Sequence, residues 1–141
     1  MNQAPSNLQR VRIDYYEGAY GHTIRIDVRI IDDLITLKSL FLGLASDNAS
    51  QLNLLDLSGV TATGLQYLIL EQNDSTANLG TGLKSVTTNT GEIGFIWSLP
   101  HSGWTRCGGL LQGMIDYGKP CHQYMTDEAR DETIVELAFG E

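Results

Sequence analysis

Cationic residues are scarce in this sequence. Lys and Arg together number 9 against 17 Asp and Glu, a formal net charge of −8. Binding to phosphate backbones or anionic bilayers needs clustered cations, so nucleic acid and membrane are not expected as partners. Cysteine is also rare, with only Cys107 and Cys121. Their spacing fits neither a zinc ligand set nor a thioredoxin-type pair, and they read as two reduced thiols. Long apolar runs are missing: every apolar stretch meets a charge or a glycine well before the roughly 20 residues of a membrane span. Residues 1–7 are polar, without the basic and apolar regions of a secretory signal. A cytoplasmic location is the expectation.

The familiar catalytic signatures are missing as well. The three histidines, His22, His101 and His122, have no i, i+4 pairing, and no HExxH or CxxC occurs. There is no Gly-x-Ser-x-Gly elbow and no dinucleotide fingerprint. The run Gly80-Thr81-Gly82-Leu83-Lys84-Ser85 separates its lysine from the glycine that a phosphate-binding loop places beside it. Cys121 and His122 are adjacent on a predicted strand and so face opposite ways, which argues against a thiol nucleophile. Cys107 falls on an apolar helix stripe, the usual place of a core thiol. No catalytic residue, cofactor or metal ligand is expected.

What is present is periodicity. With 141 residues, 42% hydrophobic and 18% charged, the chain suits one globular domain. Residues 10–16 alternate, and 23–30 do so more strictly, with Ile24, Ile26, Val28 and Ile30 on one face. Gly18 and Gly21 lie in the loop of the predicted hairpin. Asp32 and Asp33 open a predicted helix over 32–46, where acidic groups favour the positive end of the dipole. Leu34, Leu37, Phe41 and Leu44 form its apolar stripe. Strands are predicted over 51–57 and 63–72, the latter with Leu65, Tyr67 and Ile69 alternating against Gln66, Leu68 and Leu70. Beyond a loop at 73–82 come strands at 83–88 and 92–99 and a glycine-bearing helix over 102–117. Gly118 and Pro120 close that helix. Strands at 121–126 and 133–139 flank an acidic segment, 127–132.

The order strand, strand, helix, strand, strand therefore occurs twice, in halves 9–72 and 83–141 with 73–82 as linker. At an offset of 70, Leu34, Leu37, Phe41 and Leu44 fall on Trp104, Cys107, Leu111 and Met114. At the same offset Leu65, Tyr67 and Ile69 fall on Val135, Leu137 and Phe139. The hairpin strand aligns at 69 instead, so a one-residue change is expected at the strand–helix junction. The expected fold is α+β, one mostly antiparallel sheet with both helices on one face.

Two surfaces stand out as candidate binding sites. The polar side of the first hairpin carries Arg12, Asp14, Tyr16, Arg25, Asp27 and Arg29, a mixed-charge face with residue types that anchor protein interfaces. The segment with Asp127, Glu128 and Asp131 is an acidic surface suited to a basic protein. A small-ligand or enzymatic reading would need a cleft between the halves, with His101, Arg106, His122 and Tyr124 as its polar residues. A third reading is an oligomeric module that associates through a sheet face or edge.

The end of the chain places Trp104-Thr-Arg-Cys-Gly-Gly-Leu-Leu before Gly118-Lys-Pro-Cys-His122-Gln-Tyr124-Met-Thr126, then an apolar strand closing in Phe139-Gly140-Glu141. Over these last 40 or so residues the chain resembles small bacterial proteins grouped with predicted immunity proteins of polymorphic toxin systems, the immunity protein 32 group. The resemblance implies an α+β protein that neutralises a toxin by binding, and it carries over no catalytic residue. A protein partner or self-association is the expectation.

Overall fold

A computed structural model describes residues 7–18, 21–74, 83–126 and 133–141. The linker residues 75–82 and the acidic segment 127–132 lie outside these.

The first hairpin is β1 (Val11–Gly18) and β2 (Gly21–Val28), followed by α1 (Ile31–Ala45). Alternation dictates the hairpin: Val11, Ile13, Ile24, Ile26 and Val28 are buried, and the residues between them point away from the core. Then come β3 (Gln51–Asn53), a 3-10 turn (Leu54–Asp56), β4 (Val60–Thr63) and β5 (Tyr67–Gln72). The second half supplies β6 (Leu83–Thr87), β7 (Ile93–Leu99), α2 (His101–Tyr117), β8 (Cys121–Tyr124) and β9 (Thr133–Phe139).

The fold is α+β, with two helices and two mixed sheets. This corrects the expected single, mostly antiparallel sheet. The first sheet has the order β4-β1-β2-β9-β8 and the second β3-β5-β7-β6. Each hairpin exchanges partners: β2 runs parallel to β9 of the other half, and β7 runs parallel to β5. The registers repeat closely. Val28 lies beside Phe139 and Trp97 beside Leu70; Leu52 lies opposite Leu70 and Cys121 opposite Phe139. Adding 69 to Val28, Leu70 and Leu52 reaches Trp97, Phe139 and Cys121.

The last strands therefore correspond at 69, not at 70. Leu68 and Leu70, in place of Tyr67 and Ile69, correspond to Leu137 and Phe139; both leucines are fully buried, whereas Tyr67 and Ile69 are half-buried. Because both faces of this strand are apolar, alternation alone could not choose between them. The predicted strand over 51–57 also breaks after three residues. Asn53 Oδ1 accepts from the amides of Leu55 at 3.2 Å and Leu68 at 3.1 Å, turning the chain while tying it to β5. That turn leads to the short edge strand β4, which the hydrophobic pattern did not mark.

The helices pack on one another and reach both sheets, α1 against β2 and β5 and α2 against β7 and β8. One continuous core results. Phe41, Trp97 and Trp104 meet at its centre, with ring centroids 5.0 to 6.1 Å apart. The Trp104 indole N–H donates to the Glu71 carbonyl at 2.9 Å, which lets a large polar-tipped ring be buried. Tyr15 of the first sheet meets Phe95 of the second at 4.9 Å. Gly108 lies where the helices cross: a Cβ there would stand 2.6 Å from Leu42 Cδ2.

Candidate functional site

The outer face of the first sheet gathers most of the polar residues singled out by the sequence. Register sets Asp14, Arg25, Glu136 and Tyr124 side by side across β1, β2, β9 and β8. The next row is Arg12, Asp27, Ala138 and His122. Tyr16 continues the face on β1 and is exposed. The strand exchange is what places His122, Tyr124 and Glu136 here, since they belong to the other half of the chain.

Opposite charges interleave on this face. Arg12 Nε lies 3.0 Å from Asp14 Oδ2, and Arg29 Nη2 lies 3.6 Å from Asp27 Oδ2. Arg25 spans two carboxylates, Glu136 at 3.6 Å and Glu141 at 3.8 Å. His122 Nδ1 hydrogen-bonds Glu141 at 2.9 Å, and that bond raises the imidazole's pKa above its ordinary value. The Tyr124 ring stands edge-on to His122 at 5.7 Å. His122, Glu136 and Glu141 offer ligand atoms within 4.8 Å of one another, a donor set that suits a divalent cation. Arg25 already pairs with both of its carboxylates, so a cation there would compete with the guanidinium.

His101 belongs to a separate group. As the first residue of α2 it places Nε2 2.7 Å from Asp47 and Nδ1 3.0 Å from Asp74, while its amide donates to Asp74 at 3.1 Å. Hydrogen bonds to Asp47 and then Asp74 raise its pKa. The amide of His101 is the main cause of the lowered pKa of Asp74. Asp47 sits at a positive φ of 65° just beyond α1, so this clamp joins the end of α1, the segment after β5 and the start of α2. Arg106 donates to the Met125 carbonyl at 3.2 Å. The expected cleft residues thus divide: His101 binds Asp47 and Asp74, whereas His122 and Tyr124 lie on the sheet face. Their separation along the sequence hid this, because α2 carries His101 at its start and His122 follows its end.

Asp127, Glu128 and Asp131 lie outside the described residues. The Cys107 thiol is buried, and burial pushes its pKa up to about 12, which keeps it protonated at neutral pH. Three partners escaped the sequence reading. Asp47 and Asp74 sit in loops without periodicity, and Asp33 looked like a helix-dipole residue. Asp33 is in fact buried and accepts the amides of Gln9 at 2.9 Å and Arg10 at 2.8 Å.

No family model, no curated protein and no solved structure matches the chain. Among the described residues no helix is long and apolar enough to cross a membrane. Fold and face together define an α+β protein with one mixed-charge sheet surface turned away from its helices.

Proposed function

We propose that the chain is a non-enzymatic bacterial binding protein that engages a protein partner through the outer face of its first sheet. The observation that carries this is the alternation of Arg12, Asp14, Arg25, Asp27 and Glu136 across neighbouring strands, with Tyr16 exposed beside them. Interleaved charges specify one partner and register, and Arg and Tyr are frequent anchors of such contacts. In this reading the protein acts in the cytoplasm as an immunity-like inhibitor, as the C-terminal resemblance implies. Its net charge of −8 favours encounter with a basic target, such as a nuclease toxin.

The test is co-expression with the products of adjacent genes, followed by size-exclusion chromatography and calorimetry. A stoichiometric complex is expected. Tyr16→Ala and Arg12→Glu should each weaken it by about 2 kcal/mol or more, the scale of an interface anchor, with the fold retained. If none of the adjacent products binds, or if both variants bind as the wild type does, the reading fails.

A further inference from the structure

At one end of the same sheet, the start of β1, the residues closing β2 and the turn before β4 enclose an open groove of about 510 Å³. Its lining includes Arg10, Arg12 and Arg29, one carboxylate, Asp27, and Gly59 and Thr61. Half of the six arginines of an acidic protein face one opening. Their donors are largely unspent. Arg12 gives Nε to Asp14 and keeps its terminal amines. Arg29 stands 3.6 Å from Asp27, beyond hydrogen-bond distance. Arg10 has no side-chain partner among the described residues. Asp27 Oδ1 is buried and has no hydrogen-bond partner among them.

The groove is held open by backbone. Asp33 pins the amides of Gln9 and Arg10, and the Val11 amide donates to the Gly59 carbonyl at 3.0 Å. Gly59 has a φ of +81°, and a Cβ there would stand 1.9 Å from the Leu8 carbonyl oxygen. The backbone at the start of β1 and at Gly59 thus forms a preformed frame beside the three arginines. Like charges held together repel, and an oxyanion between them removes that cost while matching the planar forks. The lining sums to three positive charges and one negative, which a phosphomonoester near −2 balances. Asp27 lines the groove, and its Oδ2, too far from Arg29 for a hydrogen bond, can accept from a hydroxyl beside that anion.

We infer that this groove binds a phosphomonoester carrying a neighbouring hydroxyl, with Arg10, Arg12 and Arg29 on the phosphate and Asp27 accepting from the hydroxyl. The groove shares Arg12 and Asp27 with the proposed partner face, but it does not rest on that reading, and its test uses the full chain alone. Amide chemical shifts are followed by NMR during titration with inorganic phosphate, glycerol 3-phosphate and malonate. Saturable shifts at groove residues are expected with both phosphates, tighter for glycerol 3-phosphate and weakest for malonate. Arg10→Gln and Arg29→Gln should each weaken phosphate binding by about tenfold. Asp27→Asn should remove the advantage of glycerol 3-phosphate, and Lys84→Gln, in the second sheet, should change nothing. Absence of saturable groove shifts, or shifts indifferent to both arginine variants, overturns the site. Tighter binding of malonate overturns the phosphate assignment, and equal binding of the two phosphates overturns the role of Asp27.

Discussion

Val28 of β2 lies directly beside Phe139 of β9 in parallel register, joining the first hairpin to the last strand of the chain. The contact closes the centre of the first sheet, so its loss should be felt globally. Phe139→Ala removes a buried ring and should cost about 3–5 kcal/mol. Urea unfolding measures this, and a loss under about 1 kcal/mol would contradict the central placement of β9.

Two glycines should respond in opposite directions. Gly109 lies in α2 with open space where a Cβ would stand, so Gly109→Ala should stabilise by about 0.5–1 kcal/mol through helix propensity. Gly59→Ala places a Cβ against the Leu8 backbone at a positive φ and should destabilise by more than about 1 kcal/mol. Thermal unfolding of the pair separates the two effects.

Asp33 ties the segment before β1 to the first turn of α1. Asp33→Asn keeps the volume but replaces one acceptor oxygen with a donor facing a backbone amide. It should cost about 1.5–3 kcal/mol, as expected for hydrogen bonds to a charged group. Hydrogen exchange at Gln9 and Arg10 should accelerate beyond what the global change explains. Unchanged exchange there would show that the carboxylate does not hold this segment.

The His101 clamp makes stability depend on pH at both ends. A raised histidine pKa contributes stability that is fully present below 6.5 and lost as pH rises through the folded value. A lowered Asp74 pKa contributes stability that is present above 3.8 and lost as pH falls through its folded value. The clamp is therefore fully formed between those limits. An NMR titration of the imidazole should find the His101 midpoint above 6.5, and Asp47→Asn should lower it. A wild-type midpoint at or below 6.5 would show that the two carboxylates do not hold the ring.

Legibility in the sequence followed the strength of each local signal. Ile24, Ile26 and Val28 alternate with Arg25 and Asp27, so strand, buried face and polar face could all be read at once. The same holds for the stripes Leu34, Leu37, Phe41, Leu44 and Trp104, Cys107, Leu111, Met114, whose spacing suits only a helix. Where both faces of a strand are apolar, as at Leu68 and Ile69, the strand was legible and its orientation was not. The clamp around His101 left no trace, because Asp47 and Asp74 are brought to it by three elements ending at one place.

The sequence by itself determined the α+β class, both helices, the hairpin and the charged face of β1 and β2, since each follows from side-chain period within a few residues. Only the tertiary structure decided which strands are neighbours. Parallel pairing of β2 with β9 and of β5 with β7 depends on packing between segments far apart in the chain, and local periodicity carries no information about such partners. That exchange makes two sheets instead of one, sets the strand correspondence at 69, and carries His122, Tyr124 and Glu136 onto the face that Arg12, Asp14 and Arg25 begin.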